Sequence, residues 1–244
     1  MRERLRTAAD RRARNLPPAR RLRLELAAAA LERFAAGGAL RVLDAGCETG
    51  LLTAALARSH PGWHVHGVDV DERSLEIARG WTAEEGLANV SFERIDLTRE
   101  RGSGAYDAVA AMECLAEIPD DRAAVRFMAE ALRPGGLLLV HVPERDWKPV
   151  LRASPRTWKG EQRHGYSGAE LDGMLRDAGL EGVEIAPTTR STVHLAEELR
   201  ERIKQRGLKV RLAAYPAMSA AVKLERAGLT WGEARALFAR ARRP

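Results

Sequence analysis

"VLDAGCETG", residues 42–50, runs from apolar residues into an acid, Asp44, and then into a tight turn bounded by Gly46 and Gly50. A short buried strand, a glycine turn and a following helix form the opening unit of a parallel α/β sheet. Such a turn lets backbone approach a ligand closely. A dinucleotide fingerprint would need G-x-G-x-x-G, with pyrophosphate on the helix N-terminus. Only Gly46-x-x-x-Gly50 is present here, and Glu48 puts a carboxylate in the middle of the turn. A phosphate would meet Asp44 and Glu48, and at ~4 Å each like-charge contact costs about 1 kcal/mol even in bulk water. Nicotinamide dinucleotides are disfavoured on both counts.

Working outward, apolar periodicity predicts a helix from about Arg20 to Ala36, with Leu24, Ala27, Leu31 and Phe34 on one face and Gly37-Gly38 at its end. The first strand covers Leu40 to Asp44. Strands follow at "HVHGVDV" (64–70), "VSFERIDL" (90–97), "YDAVAAMEC" (106–114) and "LLLVHVP" (137–143), with helices at 71–85 and 120–132 between them. Residues 144–166 read as a loop. Ser167 and Glu170 make an S-x-x-E capping box that opens a helix ending at Gly179. "GVEIAPTT" reads as a sixth strand and "RALFARARR" as a seventh, separated by an Ala/Leu-rich helical insertion at about 191–233. This alternation predicts an α/β fold, a mostly parallel Rossmann-like sheet with helices on both faces. Domain organisation is expected to be an arginine-rich arm, residues 1–19, followed by one domain from 20 to 244.

The chain of 244 residues carries net charge +6, unevenly placed. Residues 1–23 hold nine arginines against Glu3 and Asp10, a net +7, so the remainder sums to −1. A basic arm on a near-neutral body argues against a broad nucleic-acid-binding face, and nucleic acid is not the expected partner. Cys47 and Cys114 form no C-x-x-C pair. With no apolar run long enough for a membrane span and no signal-peptide pattern, a cytoplasmic location is expected. His64 and His66 alternate along a strand without a Cys or acid cluster at ligand spacing, so no metal is expected.

Three acids end successive strands: Asp44, Asp69 and Asp96. Each alone could merely cap the next helix. Together they suit a cationic ligand without phosphate, such as S-adenosylmethionine. Asp69 is placed to accept from both ribose hydroxyls, and Asp96 to accept from the adenine amino group. "RVLDAGCETG", "VHGVDVDERSLEIAR", "NVSFERIDL", "YDAVAAMECLAEIPDD", "ALRPGGLLLVHVP" and "RHGYSGAELDGMLRDAGLEGVEI" then carry a resemblance. The chain resembles a class I S-adenosylmethionine-dependent methyltransferase of the small-molecule branch that includes ubiquinone and menaquinone methylases. The likeness runs over residues 41–185. It implies seven strands with an antiparallel last strand, methyl transfer, and S-adenosyl-L-homocysteine as product. It also implies a cofactor-binding set of Asp44, Ala45, Gly46, Cys47, Glu48, Gly50, Asp69, Val70, Asp96, Leu97 and Met112.

This sequence departs from the family twice. Glu48 stands where the middle glycine of G-C-G-x-G is usual, and Leu115-Ala116-Glu117-Ile118-Pro119 stands where L-E-H-I-P is often found. A positive φ at Glu48 would strain it. Its side chain either faces the cationic end of the cofactor, or points to solvent or the next helix. The candidate catalytic group is His141, at the end of the fifth strand. Candidates for contacting a small-molecule acceptor are Glu113, Glu117, Trp147, Trp158, His164 and Tyr166. Each also has a plain reading, as loop packing or a solvated residue. The 191–233 insertion serves as a substrate lid, as extra core or as a homodimer surface. Two other functions compete: an RNA methyltransferase anchored by its arm, against which "MECL" stands where Asn/Asp-Pro-Pro-aromatic is typical, and a non-catalytic cofactor-binding regulator.

Overall fold

The computed structural model describes residues 16–151, 162–203, 206 and 208–244. Most of the arginine-rich arm and Trp158 therefore lie outside the described residues. The first described helix, α1 (Pro18–Ala35), starts on a proline, which suits a first turn because its missing N–H would be unpaired there anyway. It stops at Ala36, whose φ of 46° is left-handed. Next come β1 (Arg41–Ala45), α2 (Leu51–Ser59), β2 (His64–Asp69), α3 (Glu72–Glu84), β3 (Val90–Arg94), β4 (Tyr106–Met112), α4 (Asp121–Ala131) and β5 (Leu132–Pro143). The chain finishes with α5 (Gly168–Asp177), β6 (Glu181–Thr188), α6 (Ser191–Ile203), α7 (Leu208–Arg226) and β7 (Ala236–Arg242). Short polar side chains fix several helix starts. Asp71 accepts from the backbone N–H groups of Arg73 and Ser74, and the predicted Ser167/Glu170 capping box is fully formed.

The seven strands form one sheet in the order β3-β2-β1-β4-β5-β7-β6. All neighbours are parallel except β7, which runs antiparallel to both β5 and β6. Period-two alternation divides the core. Along β1, Val42 faces a cluster with Leu31, Leu52, Leu56 and Trp63, while Leu43 faces one with Val125, Met128, Leu171 and Leu175. A smaller cluster of Leu22, Val193 and Val222 joins α1 to α6 and α7, the two helices of the 191–233 insertion. Strand order reverses between β1 and β4, which opens a crevice at their carboxyl ends.

Two strand boundaries differ from the sequence expectation by three residues or more. β3 stops at Arg94 rather than Leu97, because Asp96 turns back to accept from the N–H and hydroxyl of Thr98. β5 begins at Leu132, five residues before Leu137, where Tyr106 still pairs with Leu132 beyond an irregularity in the ladder. Among the described residues no helix is long and apolar enough to cross a membrane. None of their His, Cys, Asp and Glu residues form a group able to hold a metal.

Candidate active site

A cavity of about 810 Å³ opens at the reversal point. Its floor is the carboxyl ends of β1, β2 and β4, represented by Asp44, Gly46, Asp69, Met112 and Glu113. Its roof is α1 through Arg20, Arg23 and Leu24, and α6 through Glu197, Arg200 and Glu201. The wall holds eight carboxyl groups against three arginines, so the cavity favours a cation and repels phosphate.

The two turn glycines serve packing more than ligand approach. A Cβ on Gly46 would lie 2.4 Å from the Cβ of Cys114, and one on Gly50 would meet Phe92 and Ala78 within 3 Å. Both have φ of 71°. This packing sets β1 close against the turn after β4, where the thiol of Cys114 donates to the carbonyl of Ala45. Burial, followed by the charges of Asp44 and Asp69, pushes the thiols of Cys47 and Cys114 well above the ordinary range, so both are inert.

Asp44 is buried at the N-terminus of α2, accepting from the N–H of Thr53 at 3.0 Å and its hydroxyl at 2.6 Å. Burial raises its pKa to about 6, against those two bonds. Asp69 is more open. One oxygen accepts from Glu48 N–H at 2.8 Å and the other from Asp71 N–H at 2.9 Å. Each oxygen keeps further lone-pair capacity, which suits a pair of adjacent hydroxyls. An acidic wall, a carboxylate with two free acceptor directions and no phosphate cradle together fit S-adenosylmethionine.

Glu48 is left-handed, with φ of 51°. Its carboxylate is solvent-exposed and reaches back to Arg20 of α1 at 3.0 Å. A non-glycine residue in this region costs about 1–3 kcal/mol. The exposed pair with Arg20 returns only about 0.2–1 kcal/mol. Glu48→Gly is therefore expected to raise stability by about 1 kcal/mol in denaturant unfolding, while Glu48→Gln stays within about 0.5 kcal/mol of wild type. A destabilised Glu48→Gly protein would refute the strain argument.

At the β4 side of the cavity, Glu113 follows the strand with φ of 72°. Its Oε1 meets Nδ1 of His141 at 2.5 Å, and its Oε2 lies 4.0 Å from Arg23. Nε2 of His141 meets the hydroxyl of Thr188 at 3.1 Å. An ionised carboxylate only accepts, so Nδ1 carries the proton and Nε2 accepts from Thr188. Burial works against the Glu113 carboxylate, but Arg23 and His141 outweigh it and hold the group below the ordinary glutamate range. Burial likewise keeps His141 below its usual value despite Glu113. At neutral pH the pair is thus a carboxylate beside a neutral imidazole.

The structure gathers some predicted residues and separates others. Asp44, Gly46, Cys47, Glu48, Asp69, Val70, Met112, Glu113 and Glu117 line the cavity. Ala45 and Leu97 are packed in the core, and the Asp96 carboxylate is engaged by Thr98 and Arg99. His141, 1 % exposed, touches the cavity only through Glu113. Tyr166 is a core residue whose hydroxyl donates to Asp121 at 2.9 Å, and His164 is exposed on the surface. Trp147 is buried edge-on against His194 of α6. Sequence reasoning missed Arg20, Arg23 and the α6 roof. Their i, i+3 spacing on α1 was legible, but nothing marked which carboxylates they would meet.

Sheet order, antiparallel last strand and acidic cleft define a Rossmann-like methyltransferase architecture. A family profile described as "Methyltransferase domain" matches residues 2–185. The chain belongs to that family, within its class I, S-adenosylmethionine-dependent, small-molecule branch. It is 35% identical over 168 residues to a ubiquinone biosynthesis O-methyltransferase of Bordetella avium, covering 62% of this chain and 68% of that protein. Among solved structures, it resembles the [4+2]-cyclase SpnF with a TM-score of 0.62 and 27% identity, over 89% of this chain and 81% of that one. It also resembles phosphoethanolamine N-methyltransferase 2 of Haemonchus contortus, in complex with phosphomonomethylethanolamine and S-adenosylhomocysteine. That likeness has a TM-score of 0.61 and 27% identity, over 88% of this chain and 52% of that one. The chain is an S-adenosylmethionine-dependent methyltransferase acting on a small molecule.

Proposed function

We propose that the accepting atom is a hydroxyl oxygen and that Glu113 is the general base that takes its proton. One observation carries this reading: an ionised carboxylate ends β4 at the cavity wall, held in a left-handed backbone and braced from behind by His141. A hydroxyl is a poor nucleophile until its proton has somewhere to go, whereas an amine attacks unaided. Bound S-adenosylmethionine supplies an electrophilic methyl group on a sulfonium. The chain's own contribution is threefold. Asp69 holds the ribose hydroxyls, Glu113 receives the acceptor's proton, and α1 and α6 cover the cavity against water. His141 is then a positioning residue: its Nδ1–H fixes one carboxylate oxygen so that the other faces the acceptor. Names among the relatives, ubiquinone biosynthesis O-methyltransferases, support oxygen over nitrogen.

The catalytic unit in this reading runs from residue 20 to the C-terminus, with 191–233 as its lid. The acidic wall supports a free small molecule over RNA, and the two unpaired cysteines support a cytoplasmic setting. A phenol and catechol panel, each compound paired with its pre-methylated form, tests the acceptor. Methyl-donor consumption is expected on free hydroxyls and not on blocked ones. Methyl transfer confined to amines, or donor use equal for blocked and free compounds, would overturn the oxygen assignment.

A further inference from the structure

A second set of polar side chains lies away from the cavity, where β6 hands over to α6 and β7 begins. Four of the six buried side-chain atoms that lack a hydrogen-bond partner among the described residues meet there: Nε and Nη1 of Arg235, and the hydroxyls of Thr189 and Thr192. The clustering is what needs explaining, since native interiors leave few such atoms and scatter them.

These residues are neighbours in the fold. Arg235 N–H donates to the carbonyl of Thr188 at 3.3 Å, and Thr188 pairs with Ala236 across the antiparallel β6–β7 ladder. Continuing that register puts Thr189 opposite Arg235, and Thr192 follows in the first turn of α6. All three are at least nine-tenths buried, Arg235 at 9 %, Thr189 at 5 % and Thr192 at 8 % exposure. The Arg235 guanidinium lies 5.7 Å from the centre of the Trp147 ring, which packs on His194, one turn into α6. Burial and the nearby Arg235 cation push His194 down to about 4, so at neutral pH the imidazole adds no charge. Two acids act on Arg235, Glu198 more strongly than Glu233, and Glu198 is already used: it accepts from the N–H groups of Val150 and Leu151 at 2.7 Å each and lies 3.1 Å from Nε2 of His194.

A buried guanidinium whose Nε and Nη1 lack acceptors and two buried hydroxyls without partners ask for the same thing, beside a helix start where the N–H of Arg190 already donates to the Glu225 carboxylate at 3.0 and 3.1 Å. We propose that Arg235, Thr189 and Thr192, at the N-terminus of α6, form a binding site for a compact oxyanion of carboxylate or phosphate type, separate from the methyl-transfer cavity. None of the three lines that cavity. An occupant would brace both the 144–151 segment and α6, because Trp147 and Glu198 bind these two elements around Arg235.

The test is thermal unfolding of the full chain at constant ionic strength, with chloride replaced stepwise by phosphate in one arm and by acetate in the other. Wild type is expected to show a saturable rise of several degrees at millimolar anion, as a ligand bound only by the folded state requires. Arg235→Met, which fills the space and removes the donors, is expected to be indifferent to both anions and more stable than wild type in chloride. Thr192→Val, a milder change that keeps the test open should Arg235→Met fail to fold, is expected to raise the apparent dissociation constant about tenfold. A phosphate-only or acetate-only response supports the site and names its source. If the wild-type midpoint rises with neither anion, or rises no further than those of Arg235→Met and Thr192→Val, the assignment is overturned.

Discussion

Asp69→Ala is expected to weaken S-adenosylmethionine binding by about 1–3 kcal/mol, roughly five- to a hundred-and-fiftyfold in dissociation constant, because it would leave the ribose hydroxyls without the charged acceptor proposed for them. The same carboxylate accepts from the N–H groups of Glu48 and Asp71, so its loss also frees the glycine turn and the start of α3. Asp69→Asn separates the two effects. An amide oxygen still accepts from one backbone N–H, but the side chain has lost its charge and one acceptor. Both variants are expected to bind weakly, and Asp69→Asn is expected to keep the wild-type unfolding midpoint more closely. Titration calorimetry on folded protein decides the matter. A dissociation constant unchanged in both variants would remove Asp69 from the cofactor site.

The fold was legible because its signals are local and periodic. Strand and glycine turn at 41–50, the capping box at Ser167 and Glu170, and alternation in "RALFARARR" each settle one element without needing distant residues. The site was legible only where a side chain's role follows from its place at a strand end, as for Asp44, Asp69 and Glu113. Where partnership crosses the chain, the sequence is silent. Glu48 could be read as facing the ligand or as pointing to solvent or the next helix, and its carboxylate pairs with Arg20, twenty-eight positions earlier, on a helix whose docking no local pattern announces. His141 was the candidate catalytic group, beside the plain reading of a strand-end histidine held by a structural partner. Its ring instead lies behind Glu113, a relation fixed by parallel pairing of Met112 with His141. Tyr166, chosen from an aromatic loop, is fully buried because its hydroxyl finds Asp121 at the start of α4.

Fold alone does not decide the reaction, since SpnF, a [4+2]-cyclase, shares most of this architecture. What separates one chemistry from another on such a frame is the set of groups facing the acceptor. In the reading proposed above that set is led by Glu113, with Arg23 4.0 Å from its carboxylate and Glu117 on the same cavity wall, under a roof of α1 and α6.

Glu113→Gln tests that assignment most sharply. The amide cannot take a proton, yet its oxygen still accepts from Nδ1 of His141, and the left-handed backbone of residue 113 is equally strained by either side chain. Folding and cofactor affinity are therefore expected to stay near wild type. The rate constant for methyl transfer to a hydroxyl is expected to fall by about 10²–10⁴, the usual contribution of a positioned general base. Glu113→Asp keeps a carboxylate but withdraws it by one methylene, so its loss should be smaller and should fall mainly on kcat rather than on KM. Because Arg23 and His141 hold Glu113 below the ordinary glutamate range, it is fully ionised at neutral pH and the wild-type rate should be flat there. His141→Asn removes the brace and leaves the base. It is expected to lower kcat less than Glu113→Gln and to shift the acid limb of the pH–rate profile upward, since the carboxylate loses a hydrogen bond that favours its charged form. A Glu113→Gln enzyme within about threefold of wild type on a hydroxyl acceptor would move the proton's destination away from this carboxylate.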